Sequence, residues 1–200
     1  MRPLSLLCLA AAGGTLAISA LGAQAPATAA IAPPAQQIAA AVTALPEDLR
    51  GGAAVLGYGA DGKLTSLRAG KNDMICLAQS PEEKAFHSAC YHKAMEPFMA
   101  RGRELRAQGV KGAQVDTVRF SEVKSGKLKM PTAPAMLYQI FGGTFDPATE
   151  KVSAGQLLFV TYIPFATPAT TGLSSKPSEK LPWIMFPGTP KAHIMFSASM

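Results

Sequence analysis

MICLAQSPEEKAFHSACYHKAMEPFMARGRELRAQG, residues 74–109, is the stretch on which the reading of the fold turns. Met74 to Leu77 is short, apolar and β-prone, so it reads as a strand carrying Cys76. Ser80-Pro81-Glu82-Glu83 reads as a helix start, with Ser as N-cap, Pro at the first helical position and Glu83 at the capping-box position. That helix is expected to run towards Gln108 and to stop at Gly109, with Pro97 kinking it near Met95. Phe86, Cys90, Ala94 and Phe98 fall on one stripe, which would be the buried one. On this reading a disulfide between Cys76 and Cys90 staples a helix onto a strand.

Working outward, Ala53 to Gly59 and Lys63 to Arg68 flank Asp61-Gly62, a two-residue hairpin signal, and Met74 to Leu77 would be the third strand of a meander. Downstream, a second helix spans Gln114 to Lys124 and Gly126 closes it. The pattern then becomes β-like at Met136 to Phe141, Gln156 to Phe165, Trp183 to Phe186 and His193 to Ser197. Between these, Ala166 to Leu181 is rich in turn formers; loops of that length are functional or disordered. Ile38, Val42 and Leu45 recur at helical spacing, so 35–45 reads as a short amphipathic helix, and Pro46 opens a turn through Leu49. The expected class is α+β: a mainly antiparallel sheet, with one kinked helix and a second shorter helix packed on one face.

The N-terminus speaks to location. Arg2 precedes Leu4 to Leu21, an uncharged apolar stretch, and Ala23-Gln24-Ala25 offers small residues where a signal peptidase cuts. The organisation expected is therefore a signal peptide at 1–25, an Ala/Pro-rich tether at 26–45 and a single α+β domain at 46–200. Retention of the leader as an anchor is the alternative, although about 18 residues softened by Gly13 and Gly14 are marginal for a span. Cleavage removes Cys8, leaving Cys76 and Cys90 as an even pair for an oxidising compartment. The expected location is periplasmic or secreted, with no stable membrane span after cleavage.

Composition excludes little. The chain carries 19 Lys and Arg against 13 Asp and Glu, for a net charge of +6. Its cations between Lys93 and Lys129 are interleaved with Glu96, Glu104, Asp116 and Glu122, which suits a solvated face better than a lipid- or polyanion-binding one. Export removes most reason to expect a nucleic-acid partner. An envelope component or a small molecule is the expected partner class.

Candidate chemistry is sparse. His87, Cys90 and His92 suggest metal ligands, but on a helix the i, i+5 spacing turns the two histidines about 140° apart, and a disulfide-bonded Cys90 could not ligate. His193 completing a site with His87 or His92 is the remaining metal or haem reading. No C-x-x-C-H haem signal, phosphate-cradling glycine loop or G-x-S-x-G elbow occurs, so no cofactor is expected. Ser121-Glu122-Val123-Lys124 and Lys124-Ser125-Gly126 share Lys124 and cannot be the separated elements of a penicillin-binding site. Trp183, Thr189 and His193 stand as candidate ligand contacts beside the long loop.

The Arg68-Ala-Gly-Lys-Asn72 run leading to Cys76-Leu77, the Phe86-His87-x-x-Cys90 element and the Pro187-Gly188-Thr189…Ala192-His193-x-Met195 tail resemble secreted bacterial proteins of no assigned activity. The resemblance implies export and a single domain and carries over no catalytic residue. The function expected is a non-enzymatic exported binding module; the alternative is a metal- or haem-linked envelope enzyme.

Overall fold

The computed structural model describes residues 31–198, with side chains described to Phe196; the signal peptide expected at 1–25 and the first residues of the expected tether lie outside that span. The described chain begins with α1 (Pro34–Ala41), a 3-10 turn (Val42–Ala44) and α2 (Glu47–Arg50). Strands β1 (Ala54–Tyr58), β2 (Leu64–Arg68), β3 (Met74–Leu77) and β4 (His87–His92) follow. Another 3-10 turn (Lys93–Met95) leads into α3 (Glu96–Ala107) and α4 (Ala113–Lys124). Next come β5 (Ala135–Phe141), β6 (Thr144–Asp146), β7 (Lys151–Ser153) and β8 (Gln156–Tyr162). The described residues close with α5 (Pro168–Thr171), β9 (Trp183–Met185) and β10 (His193–Ala198).

Eight of the described strands form one sheet in the order β2-β1-β3-β4-β5-β8-β10-β9, and all neighbours are antiparallel except β1 and β3. The α+β class holds. β3 does not continue a meander after β2 but crosses to the far side of β1, where Val55 faces Cys76 in parallel register. β1 does pair with β2 across Asp61-Gly62, with Gly62 at φ 74°, but the connection is longer than a two-residue turn, running from Gly59 to Lys63 and closed by the Gly59 N–H donating to the Lys63 carbonyl.

The main correction concerns 80–95. Those residues are a turn, a strand and a 3-10 turn, and the α-helix starts only at Glu96, with Pro97 in its first turn and no kink to explain. Half of the capping box forms: the Glu83 carboxylate accepts from the Ser80 N–H at 3.2 Å, while the Ser80 hydroxyl accepts from the Glu82 N–H at 3.3 Å and not from that of Glu83. They close an isolated turn, because the residues beyond obey a stronger period of two. Ser88 and Cys90 point to one face of the sheet and Tyr91 to the other, and β4 is hydrogen-bonded on both sides, to β3 and β5. Tertiary pairing overrides the local helix signal. Cys76 lies directly opposite Cys90, so the disulfide links two neighbouring strands rather than a strand and a helix.

Helices cover both faces of the sheet. α3 and α4 do share one face, where Tyr91, Phe98, Met95, Leu137 and Val160 form the core. α1 and the 3-10 turn after it cover the other, packing Ala41, Val42 and Leu45 against Val55, Cys76, Cys90 and Ile140. Residues 34–45 are thus part of the packed core and not a tether. Each fully buried large side chain, such as Tyr91, Phe98, Leu45 or Met95, contributes roughly 1.5–3 kcal/mol. Polar bonds fasten the N-terminal segment. The Ser88 hydroxyl donates to the Ala41 carbonyl at 2.6 Å, Asn72 donates to the Leu49 carbonyl, and Arg50 and Arg68 donate to carbonyls of residues 43, 45, 50 and 53. Cys90 Sγ also touches the Ala41 carbonyl oxygen at 3.2 Å, a contact and not a hydrogen bond, since a disulfide sulfur has no proton to give.

The long 166–181 segment is ordered by its own chemistry. Thr167 and Thr170 form a reciprocal cap on α5, Gly172 ends it at φ 72°, and Ser174 bridges to Trp183. Among the described residues no helix is long and apolar enough to cross a membrane.

Candidate functional site

β5 and β8 are the two arms of one long hairpin, paired from Ala135↔Tyr162 to Phe141↔Gln156. The ladder then breaks for two residues on each arm, Gly142-Gly143 and Ala154-Gly155, and resumes as β6–β7 with Thr144↔Ser153. Gly142, Gly143 and Ala154 all have positive φ, at 69°, 73° and 54°. A Cβ on Gly143 would lie 2.2 Å from the Ser153 carbonyl oxygen, so only glycine lets the arms pinch together there. The bend lays the hairpin tip on the α1 side of the sheet. There Phe145 stacks on Phe86, with ring centroids 6.0 Å apart and planes 13° from parallel, and Val152 packs against the same core.

Beside this tip opens a cleft of about 410 Å³, within the range of small-molecule sites. Gln36 and Gln37 of α1, Tyr58 at the end of β1, the 78–86 turn, and Thr144 and Phe145 line it. Gln37 is a structural wall. Its amide donates to the Ala32 and Tyr58 carbonyls and accepts from the Tyr58 N–H at 2.8 Å, pairing with that backbone as a neighbouring strand would. Glu83 is also engaged: besides the Ser80 amide, its carboxylate meets His87 Nδ1 at 3.1 Å. His87 Nε2 lies 3.3 Å from Gln139 Oε1, and its ring stacks on Phe141. Lys84, on the cleft wall next to Glu83, has no ion-pair partner among the described residues. Gln79 spends its amide NH2 on the Glu83 and Ala85 carbonyls, each at 3.0 Å, so the site offers aromatic faces, the Gln36 amide and one cation without an ion-pair partner among the described residues.

The histidines singled out from the sequence do not converge. His87 and His92 sit at opposite ends of β4, and His92 spends its Nδ1 accepting from the Ala94 N–H at 3.2 Å, with Nε2 3.8 Å from Asp73. His193 stands three strands away on β10, roughly 14 Å across the sheet at about 4.8 Å per strand. No group of three or more His, Cys, Asp or Glu able to hold a metal occurs among the described residues. The His193 ring is 5 % exposed, lies against Tyr162 and Phe186, and donates from Nδ1 to the Lys191 carbonyl at 2.7 Å. Burial holds its pKa below the ordinary 6.5; the bond to the Lys191 carbonyl opposes that and the Lys191 charge adds to it.

Around it lies a charge cluster that ties α4 to the β9–β10 connection. Asp116 receives both Arg119 and Lys191 Nζ, the latter at 2.9 Å. Burial raises the pKa of Asp116, but its bonds to Lys191 and Arg119 outweigh that and hold it below the usual carboxylate value. Arg119 is 4 % exposed, stacks over the Phe98 ring and donates to the Phe98 carbonyl, yet its Nε has no partner. Burial pushes the neighbouring Tyr162 phenol up to about 12. Thr189 caps its own turn, donating to the Phe186 carbonyl at 2.8 Å. Trp183 is half-buried in β9. This corner is a bracing structure; it does not adjoin the cleft. The β6–β7 tip is the element sequence reasoning missed, and the signal was Gly142-Gly143 standing opposite Ala154-Gly155 between two β-like runs.

No family model, curated protein or solved structure matches this chain. Its chemistry therefore has to be read from its own geometry.

Proposed function

We propose that this protein is an exported, non-enzymatic binding module that takes a small molecule in the cleft between α1, the 78–86 turn and the bent hairpin tip. The observation that carries the reading is the bend itself: a glycine-dependent kink brings Thr144 and Phe145 to a cleft they would otherwise miss. A closed-down hairpin with strained backbone at its neck is what a binding site is expected to preserve. The polar groups of the cleft favour recognition over catalysis. Its serine, Ser80, accepts from the Glu82 amide and is bonded to no histidine, and Glu83 is committed to His87 and the Ser80 amide. Export is supported by the leader-like residues 1–25 and by the disulfide, which persists in oxidising compartments. The metal- or haem-linked alternative draws no support from His193, His87 and His92, which lie too far apart to share an ion.

The test is a thermal-shift screen of small molecules against protein purified from the bacterial periplasm after expression with its own leader. A selective binder raises Tm with concentration, and the gain is lost in Gln36→Ala and Phe145→Ala. A binder whose effect survives both substitutions, or protein retained in the cytoplasm with free thiols, overturns the reading.

A further inference from the structure

The net charge of the chain sits in one layer of the fold. Between Lys93 and Lys129, nine Lys and Arg stand against four Asp and Glu, an excess of five. From residue 26 to residue 92 the count is five against six, and from 130 to 200 it is four against three, so those two spans cancel. The charged stretch is the layer of α3, α4 and the segment leaving α4, which covers the sheet face opposite α1 and the cleft. In sequence its four acids promise a balanced surface; in the fold they are drawn onto the layer's own framework. Glu96 takes Arg103 at 2.7 Å, Glu104 and Glu122 share Arg101 at 2.8 and 2.7 Å, and Asp116 takes Arg119 and Lys191. The Glu122 carboxylate, held below its usual pKa first by the bonds from Arg101, also feels the Lys127 charge but makes no ion pair with it. Among the described residues the one ion pair that brings a carboxylate of another element to this stretch is Asp73 on Lys93. Arg106, Lys111, Lys124, Lys127 and Lys129 are exposed and make no ion pair among the described residues.

Their placement describes the partner. α4 is 12 residues long, about 18 Å at roughly 1.5 Å per residue. Arg106 and Lys111 stand at the turn where α3 meets α4, and Lys124, Lys127 and Lys129 at and beyond the other end. Leu128, between the last two lysines, packs into the core under the helices and so anchors their segment to this layer. A compact anion cannot reach both groups, whereas an extended anionic surface can. Three of the four arginines of the stretch, whose planar fork suits a fixed bidentate partner, are spent inside, and four of the five exposed cations are lysines. A compact charge on a mobile stem suits attraction to many headgroups at once. None of the large apolar side chains exposed among the described residues lies on this stretch, so the attraction needs no insertion. We infer that the outer face of α3 and α4 docks the protein on an anionic phospholipid surface, held there by charge. The cleft opens on the other side of the sheet and stays accessible in the docked protein.

The experiment is co-sedimentation of the exported protein with vesicles of phosphatidylcholine alone and of phosphatidylcholine and phosphatidylglycerol in equal parts. It is repeated on two charge-matched variants. Lys124→Gln/Lys127→Gln/Lys129→Gln removes three cations of the face, and Lys71→Gln/Lys176→Gln/Lys180→Gln removes three from other elements. All six lysines are exposed, and unchanged melting confirms that each variant is folded. The unaltered protein should sediment with the anionic vesicles only. Each lysine near an anionic surface strengthens binding about fivefold, so the first variant should bind about a hundredfold more weakly. The second should stay close to the unaltered protein. Salt at about 1 M, which screens charges beyond about 3 Å, should release the bound protein. Equal binding to the neutral vesicles, equal weakening of the two variants, or no binding to the anionic vesicles overturns the inference. So does binding to soluble polyglutamate with none to vesicles, which would make the partner an acidic polymer. None of these outcomes bears on the cleft, which the thermal-shift screen tests separately.

Discussion

Opening the Cys76–Cys90 disulfide removes a link between residues 14 apart in sequence. The chain-entropy account of cross-links gives about 3 kcal/mol for a closed loop of that size. With about 170 described residues and roughly 2.1 cal/mol/K of unfolding entropy per residue, the slope near Tm is about 0.35 kcal/mol/K. The bridge is therefore worth about 8 °C. Both cysteines are fully buried in the core under α1, so substituting them would mix the lost cross-link with lost packing. Calorimetry on wild-type protein with and without a thiol reductant separates the two, because the reduced chain keeps every atom of the core except the bond. Cys76→Ala/Cys90→Ala should then melt below the reduced wild type by the cost of the vacated volume. A drop under about 2 °C on reduction, with thiol titration proving the bond open, would refute the reasoning: the paired strands would be holding the register without help.

Three further outcomes can be checked. His193 is held neutral by burial, so its folded-state pKa lies below the unfolded 6.5. Stability is then fully present above pH 6.5 and is lost as pH falls from 6.5 through the folded value; that acid-side loss, tracked by urea titration, should flatten in His193→Asn. Asp116→Asn strands Arg119 and Lys191 together and should cost about 3 kcal/mol, whereas Lys191→Met leaves the Asp116–Arg119 pair intact and should cost clearly less; chemical denaturation of the two variants decides the order. Gly142→Ala meets only the penalty of its positive φ, about 1–2 kcal/mol, since nothing lies within 4 Å of the new Cβ. Gly143→Ala adds a collision with the Ser153 carbonyl, so it should be the more destabilising of the two by urea denaturation and should also lose ligand-induced stabilisation.

Much of the sheet was legible. The Asp61-Gly62 hairpin, the strand carrying Cys76, the 114–124 helix and the C-terminal strands all sit where their periodicity and turn residues put them, because each depends on neighbours in sequence. The failure at 80–95 has a physical cause. Ser80 to Glu83 really does make capping bonds, but the conformation of His87 to His92 is decided by strands β3 and β5, one of them more than forty residues downstream. The parallel placement of β3 beside β1 is equally invisible locally, since Met74 to Leu77 would read the same on either side. The disulfide partners were legible once Cys8 was set aside with the leader-like stretch, leaving two cysteines, although the elements they join were not. Of the candidate contacts, Thr189 and His193 proved to brace a corner: polarity marks both an exposed ligand group and a buried strut, and only burial tells them apart. The cleft went unseen because its decisive signal is the register of two glycine-bearing pairs, which exists only once β5 and β8 are aligned.

The turn between the bridged strands β3 and β4 is short, only residues 78–86. Cys76 and Cys90 can thus be brought together by local closure while remote pairings such as β10 on β8 are still unmade. With no other cysteine among the described residues, oxidation of that span has one intramolecular product. Such a domain needs an oxidant from its surroundings and offers an isomerase nothing to reshuffle.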